Sequence, residues 1–130
     1  MPFLPVTSVW IAWFAINLVL LSVPVALHRK RSRTSLGDGG DAALQRRVRA
    51  QGNFTEYVPM ALLVIGGVEA AGYEPWVVWS LGGLMAAGRV LHAWGILGER
   101  LPPRVFGMIA TFLTLLAGAA LILWRVAQPA

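Results

Sequence analysis

Apolar residues gather in four stretches of this chain, each bounded by a short polar or turn-forming segment. The first runs from about Val6 to Leu27, the second from Ala42 to Ala71, the third from Trp76 to Leu97 and the fourth from Pro103 to Val126. Each reaches the ~20 residues that a helix needs to cross a bilayer's hydrocarbon core, and none shows the alternation of a half-buried strand. The pattern predicts an all-α integral membrane protein, a four-transmembrane-helix bundle forming one domain over residues 1–130. The first apolar run follows no basic segment and is too long for the core of a cleaved signal, so it is expected to remain as the first helix. Three loops separate the helices: His28–Ala43, Gly72–Pro75 and Gly98–Pro102. Asp41 is placed to cap the second helix and Pro103 to open the fourth.

Single residues refine the bundle. Pro24 is expected to kink the inner end of the first helix, and Asn17 to make an interhelical hydrogen bond. Gly82, Gly83, Ala86, Ala87 and Gly88 should let backbones approach closely around the third helix. The second helix would be about 45 Å long at 1.5 Å per residue, against ~30 Å of hydrocarbon. It must therefore tilt or protrude.

Composition agrees: 57% of the 130 residues are hydrophobic and 13% charged, with mean hydropathy +0.65, outside the balance of a soluble domain. The formal net charge is +5, and its placement matters more than its total. Arg29, Lys30, Arg31, Arg33, Arg46, Arg47 and Arg49 surround the first loop, and Arg100 and Arg104 the third. The middle loop carries Glu74, with Glu69 just before it at the end of the second helix, and no basic residue. Basic loops stay in the cytoplasm, so both termini are expected on the other face, periplasmic for a bacterial inner membrane. Between spans, such clusters read as orientation signals rather than a nucleic-acid surface. Trp10, Trp13, Trp76, Trp79 and Trp124 fall toward the outer ends, as an interfacial aromatic belt requires. With no cysteine, and with His28 and His92 on different helices, no metal site is expected.

One stretch concentrates costly polar groups. At 100° per residue Arg46, Arg49, Asn53 and Glu56 fall within roughly 80° of one another on the second helix, with Tyr57 beside them. Arg46 and Arg47 at the rim read as topogenic anchors. Asn53 and Glu56 lie deeper, where an ionised group is expensive. Two readings follow: an internal Arg49–Glu56 ion pair that locks helices together, or a site for a zwitterionic, carboxylate-rich ligand. On the third helix Arg89 and His92 share a face at i and i+3. Arg89 needs an aqueous cavity or a partner, Glu56 being one choice.

The run Arg49-Ala-Gln-Gly-Asn53-Phe-Thr-Glu56-Tyr57-Val-Pro59 resembles the second-helix motif Arg-Ala-x-x-Asn-x-x-Glu-(Tyr)-x-Pro of the MAPEG family, membrane-associated proteins of eicosanoid and glutathione metabolism. Gly88-Arg89-Val-Leu-His92-Ala-Trp-Gly95 is similar to that family's third-helix signature. The four-segment pattern extends the resemblance over nearly the whole chain. It implies a homotrimer with glutathione bound between subunits, and a glutathione-dependent transferase or peroxidase acting on lipophilic electrophiles from the bilayer. Glutathione would be the cosubstrate, with no metal. Arg46, Arg49 and Arg29 or Lys30 would meet its carboxylates, Glu56 its ammonium and Asn53 its peptide backbone, with Tyr57, Arg89 and His92 completing the binding set. Arg104 resembles the arginine that activates the thiol, with Arg100 as the alternative. One turn after His92 the chain has Ile96 where eukaryotic members carry an aromatic hydroxyl, which argues against eicosanoid activities. The competing readings are a non-catalytic lipid-binding or scaffold protein of the same fold, and, with less support, a transporter subunit. Glutathione binding separates the first reading from the others.

Overall fold

Four helices form where the four apolar stretches lie. A computed structural model describes residues 4–128, with α1 (Pro5–Ser32), α2 (Ala42–Ala70), α3 (Pro75–Leu97) and α4 (Leu101–Val126), and no strand among the described residues. Pro5 and Pro75 open their helices, a position where the missing N–H is not needed. The expected loop beginning at His28 is shorter than the polar sequence suggests: α1 continues to Ser32, and Arg33 ends it in the left-handed conformation, φ 53°. Arg29, Lys30 and Arg31 are good helix formers and sit at the negative end of the helix dipole. At the other boundary, α4 starts at Leu101, so both Pro102 and Pro103 fall in its first turn.

Polar contacts tie the two ends of the bundle differently. At the end holding the chain termini, α1 has no cap of its own. Glu69 reaches across from the last turn of α2, its Oε1 accepting from Val6 N at 3.0 Å and its Oε2 from Thr7 N at 2.7 Å. The Tyr73 hydroxyl donates to Leu121 O at 2.8 Å, tying the α2–α3 turn to α4. At the basic end, Asp41 caps α2 as expected, Oδ1 accepting from Ala43 N (2.8 Å) and Leu44 N (3.1 Å), while Oδ2 meets His28 Nε2 at 2.7 Å. There too an ion pair of 2.9 Å joins Arg46 of α2 to Glu99 of the α3–α4 turn.

Helix α2 is the spine, touching all three others, whereas α1 and α4 do not touch each other among the described residues. Its buried stripe Ala50, Phe54, Val58, Ala61, Ile65 and Val68 repeats at helical spacing. Phe54 packs on Phe14 of α1 with ring centroids 6.0 Å apart. Helices α3 and α4 approach most closely, through glycines. A Cβ on Gly95 would stand 2.5 Å from Arg104 N, and one on Gly107 2.6 Å from both Gly88 O and His92 N. Of the small residues expected to bring helices together, Gly88 faces α4 and Gly82 lies under the Trp10 indole, but Gly83 faces open space.

The outward faces are apolar. Leu20, Leu63, Leu113, Leu116 and Leu123 are among many large exposed hydrophobic residues, a surface suited to lipid. Helices α1 and α4 are each long and apolar enough to cross a membrane by length and composition. Two expectations change. Asn17 donates to Trp13 O within its own helix at 2.8 Å instead of bridging helices, since the preceding turn's carbonyl is the nearest acceptor. Trp76, Trp79 and Trp124 are exposed as anchors would be, but Trp10 and Trp13 pack on the core, with Trp10 5.4 Å from Trp79. Gly82 opens the space that draws Trp10 inward.

Candidate functional site

A cleft of about 540 Å³ opens at the basic end, between α2, α3 and the start of α4. Helix α2 contributes Gln45, Arg46, Arg49 and Asn53; α3 contributes His92, Gly95 and Ile96; the following turn and α4 contribute Glu99, Arg100, Leu101, Arg104 and Met108. The spacing Arg46, Arg49, Asn53 puts three consecutive turns of α2 on one wall. Gly95 lets the backbone of Arg104 lie directly on α3, which brings the first turn of α4 to the opposite wall. Four arginines and one carboxylate thus face the same space, with Ile96, Leu101 and Met108 as an apolar side.

His92 is buried, and its Nδ1 lies 2.9 Å from Arg104 O. A carbonyl oxygen only accepts, so Nδ1 carries the hydrogen, and in the neutral ring Nε2 is left as the acceptor. This bond also fixes where α4 starts relative to α3. Arg100 stacks its guanidinium over Trp94 at 5.0 Å, whereas Arg104 has no recorded side-chain bond among the described residues and lines the cleft.

Beneath the cleft lies Arg89, 3% exposed. Its Nη1 donates to Asn53 Oδ1 at 2.6 Å, and its Nη2 to Thr111 Oγ1 and more weakly to Gly107 O at 3.4 Å. The guanidinium lies over the Tyr57 ring, 5.5 Å from its centroid. Its partners are therefore Asn53, Thr111, the Gly107 carbonyl, the Met108 sulfur and a ring, not the expected Glu56. No Arg49–Glu56 ion pair forms among the described residues.

The expected site residues divide into three groups. Arg46, Arg49, Asn53, His92, Arg100 and Arg104 converge on the cleft; Arg89 and Tyr57 support it from below. Arg29 and Lys30 lie on the last turns of α1, away from it, and Glu56 is exposed on the flank of α2 one turn beyond Asn53. Sequence reasoning missed Glu99 and Thr111. Glu99 sits in a turn and carries no periodic signal. Thr111 was detectable as a hydroxyl inside an apolar helix, but its partner on another helix was not.

Comparison with known proteins adds the last observation. The MAPEG family model matches residues 7–124, which includes all the cleft residues. The chain is also 34% identical over 119 residues to the "Inner membrane protein YecN" of Escherichia coli K12, covering 92% of this chain and 91% of that protein. The protein of the same name from Escherichia coli O6:H1 matches to the same extent. The Arg-Asn-Glu and Arg-His motifs lie inside this end-to-end match, and the chain belongs to the MAPEG family.

Proposed function

We propose that the protein is a membrane-embedded, glutathione-dependent transferase or peroxidase acting on lipophilic electrophiles. The observation that carries this reading is the convergence of Arg46, Arg49, Asn53, His92, Arg100 and Arg104, from three helices, on one cleft with an apolar side. Glutathione brings two carboxylates, an ammonium and a thiol. Arg46 and Arg49 suit its carboxylates, since a guanidinium can bind a carboxylate through two parallel bonds. Arg104 stands at the positive end of α4, and a cation there favours thiolate over thiol. In conjugation the thiolate sulfur forms a bond to the electrophilic carbon and the leaving group departs with its electron pair. The thiol proton goes to solvent at the cleft mouth. In the peroxidase reaction two glutathiones become a disulfide while a hydroperoxide is reduced to alcohol and water.

The same reading places the chain in a bacterial inner membrane as a homotrimer. Glu56 projects from α2 near the exposed apolar residues Met60 and Leu63, where hydrocarbon would make its charge costly. A neighbouring copy on this flank would cover it, and could bring its own Arg29 and Lys30 toward the cleft. Ile96 supplies no hydroxyl to the thiol, so the reading is a general transferase or peroxidase and not an eicosanoid synthase. A scaffold reading has one specific observation behind it: Glu99 already occupies Arg46, one of the carboxylate-binding groups.

The test is detergent purification, titration with glutathione read by thermal stability, and turnover with a chlorodinitrobenzene electrophile and a lipid hydroperoxide. Saturable stabilisation with turnover is expected. Stabilisation by lipid alone, with neither glutathione binding nor turnover, would leave the scaffold reading in its place.

A further inference from the structure

Arg89 is buried, yet none of its partners is an anion. It donates to Asn53 Oδ1 at 2.6 Å, to Thr111 Oγ1, to Gly107 O and weakly to Met108 Sδ at 3.5 Å, and its Nε has no acceptor among the described residues. The described ion pairs, Arg46–Glu99 and His28–Asp41, do not include it. A guanidinium has five N–H donors and no acceptor. The Asn53 atom facing it must therefore be oxygen, which settles the orientation of an amide that could otherwise be turned over. Asn53 lines the cleft, and its Nδ2 donates to no protein group among the described residues. With Oδ1 held from below, what remains for a ligand is the NH₂ group.

We propose that Arg89 is a positioning residue that turns Asn53 into a donor-only contact, so that this point of the cleft accepts a carbonyl or carboxylate oxygen and rejects an ammonium or amide N–H. Two effects act together. The charge-assisted bond to Oδ1 polarises the amide and strengthens its outward N–H groups. The cation behind it, without an anion of its own, favours an anionic oxygen at the end of that relay. Thr111 makes the arrangement rigid. Its hydroxyl accepts from Arg89 and donates to Gly107 O at 2.8 Å, so the guanidinium is held between α2 and α4. The inference rests on the glutathione reading only for the identity of the oxygen; the lock on Asn53 stands without it.

The chain contains two asparagines, Asn17 and Asn53, so a protein labelled with ¹⁵N-asparagine has two side-chain amide signals. Asn53→Asp identifies the second by removing it. Arg89→Lys keeps the charge but replaces a two-armed donor by a point charge. In it the Asn53 amide signal should shift strongly before any ligand is added, while that of Asn17 stays in place. An unchanged Asn53 signal would overturn the lock. Asn53→Asp keeps the cation and the side-chain shape and sets a carboxylate against Arg89. Its melting temperature should match or exceed wild type, while glutathione affinity falls at least tenfold because two donors have become an anion. Wild-type affinity in Asn53→Asp would also overturn the proposal, and this variant carries the test if Arg89→Lys does not accumulate folded. If wild type shows no response to glutathione while the Asn53 signal still depends on Arg89, the glutathione reading fails and the positioning role holds.

Discussion

Asp41 acts on two elements at once. Its Oδ1 caps α2 and its Oδ2 meets His28 at the end of α1, so one side chain outside the apolar spans closes the first loop. The Leu44 N–H, then the His28 side chain, hold its carboxyl below the usual range. A carboxylate with a depressed folded-state pKa stabilises above its unfolded value, and that contribution is lost as pH falls through the folded value. Asn also caps well, so Asp41→Asn isolates the charge. Its melting temperature should lie below wild type above about pH 5, and the gap should close as pH falls through and beneath the usual carboxylate range. A constant gap across that range would contradict this. Arg104 is the second residue to test, because it lines the cleft free of the stacking that holds Arg100. Arg104→Ala should retain glutathione binding within severalfold while losing most turnover and the ultraviolet absorbance of bound thiolate, and Arg104→Lys should recover part of both. Full turnover in Arg104→Ala with an inactive Arg100→Ala would transfer the role to Arg100.

At the scale of elements the decisive contact is between α3 and α4. Gly88, Gly95 and Gly107 remove side chains where the two backbones touch, and a methyl group on Gly95 would meet backbone atoms of Arg104 rather than a side chain able to swing away. Overpacking of this kind costs roughly 1–3 kcal/mol. Gly95→Ala is therefore expected to lower the melting temperature and to disturb the His92–Arg104 bond, with turnover falling more than glutathione affinity. Equal stability and turnover to wild type would show that the helices can separate without loss. Glu69 works in the opposite sense, holding elements together by lending α1 the cap that Leu4 does not provide.

For the whole molecule, the antiparallel order puts both described chain ends on the side of Glu69 and Tyr73, and both basic loops on the side of the cleft. From the cytoplasmic preference of basic loops we predict that the cleft faces inward. A reporter that is active only outside the cytoplasm, fused to the C-terminus, should be active. Activity instead from a cytoplasm-only reporter at that position would reverse the orientation.

Periodicity, length and loop charge were enough to define four helices and the shared face of Arg46, Arg49 and Asn53, because a helix turns by a constant angle and apolar runs demand burial or lipid; that α2 touches all three other helices came from the packing. The motif resemblance pointed to His92 and Arg104 as well. What chain order left open was every pairing across helices. Arg89 is as compatible in sequence with Glu56 as with Asn53 and Thr111, and the choice depends on the depth at which α3 meets α2 and α4. That depth is set by glycines on two different helices, Gly88 and Gly95 against Gly107, whose mutual contact no single segment contains. The same holds for Glu69 at the start of α1 and Glu99 on Arg46. Each is a lone carboxylate at a helix end, and only the packing of distant segments selects its partner.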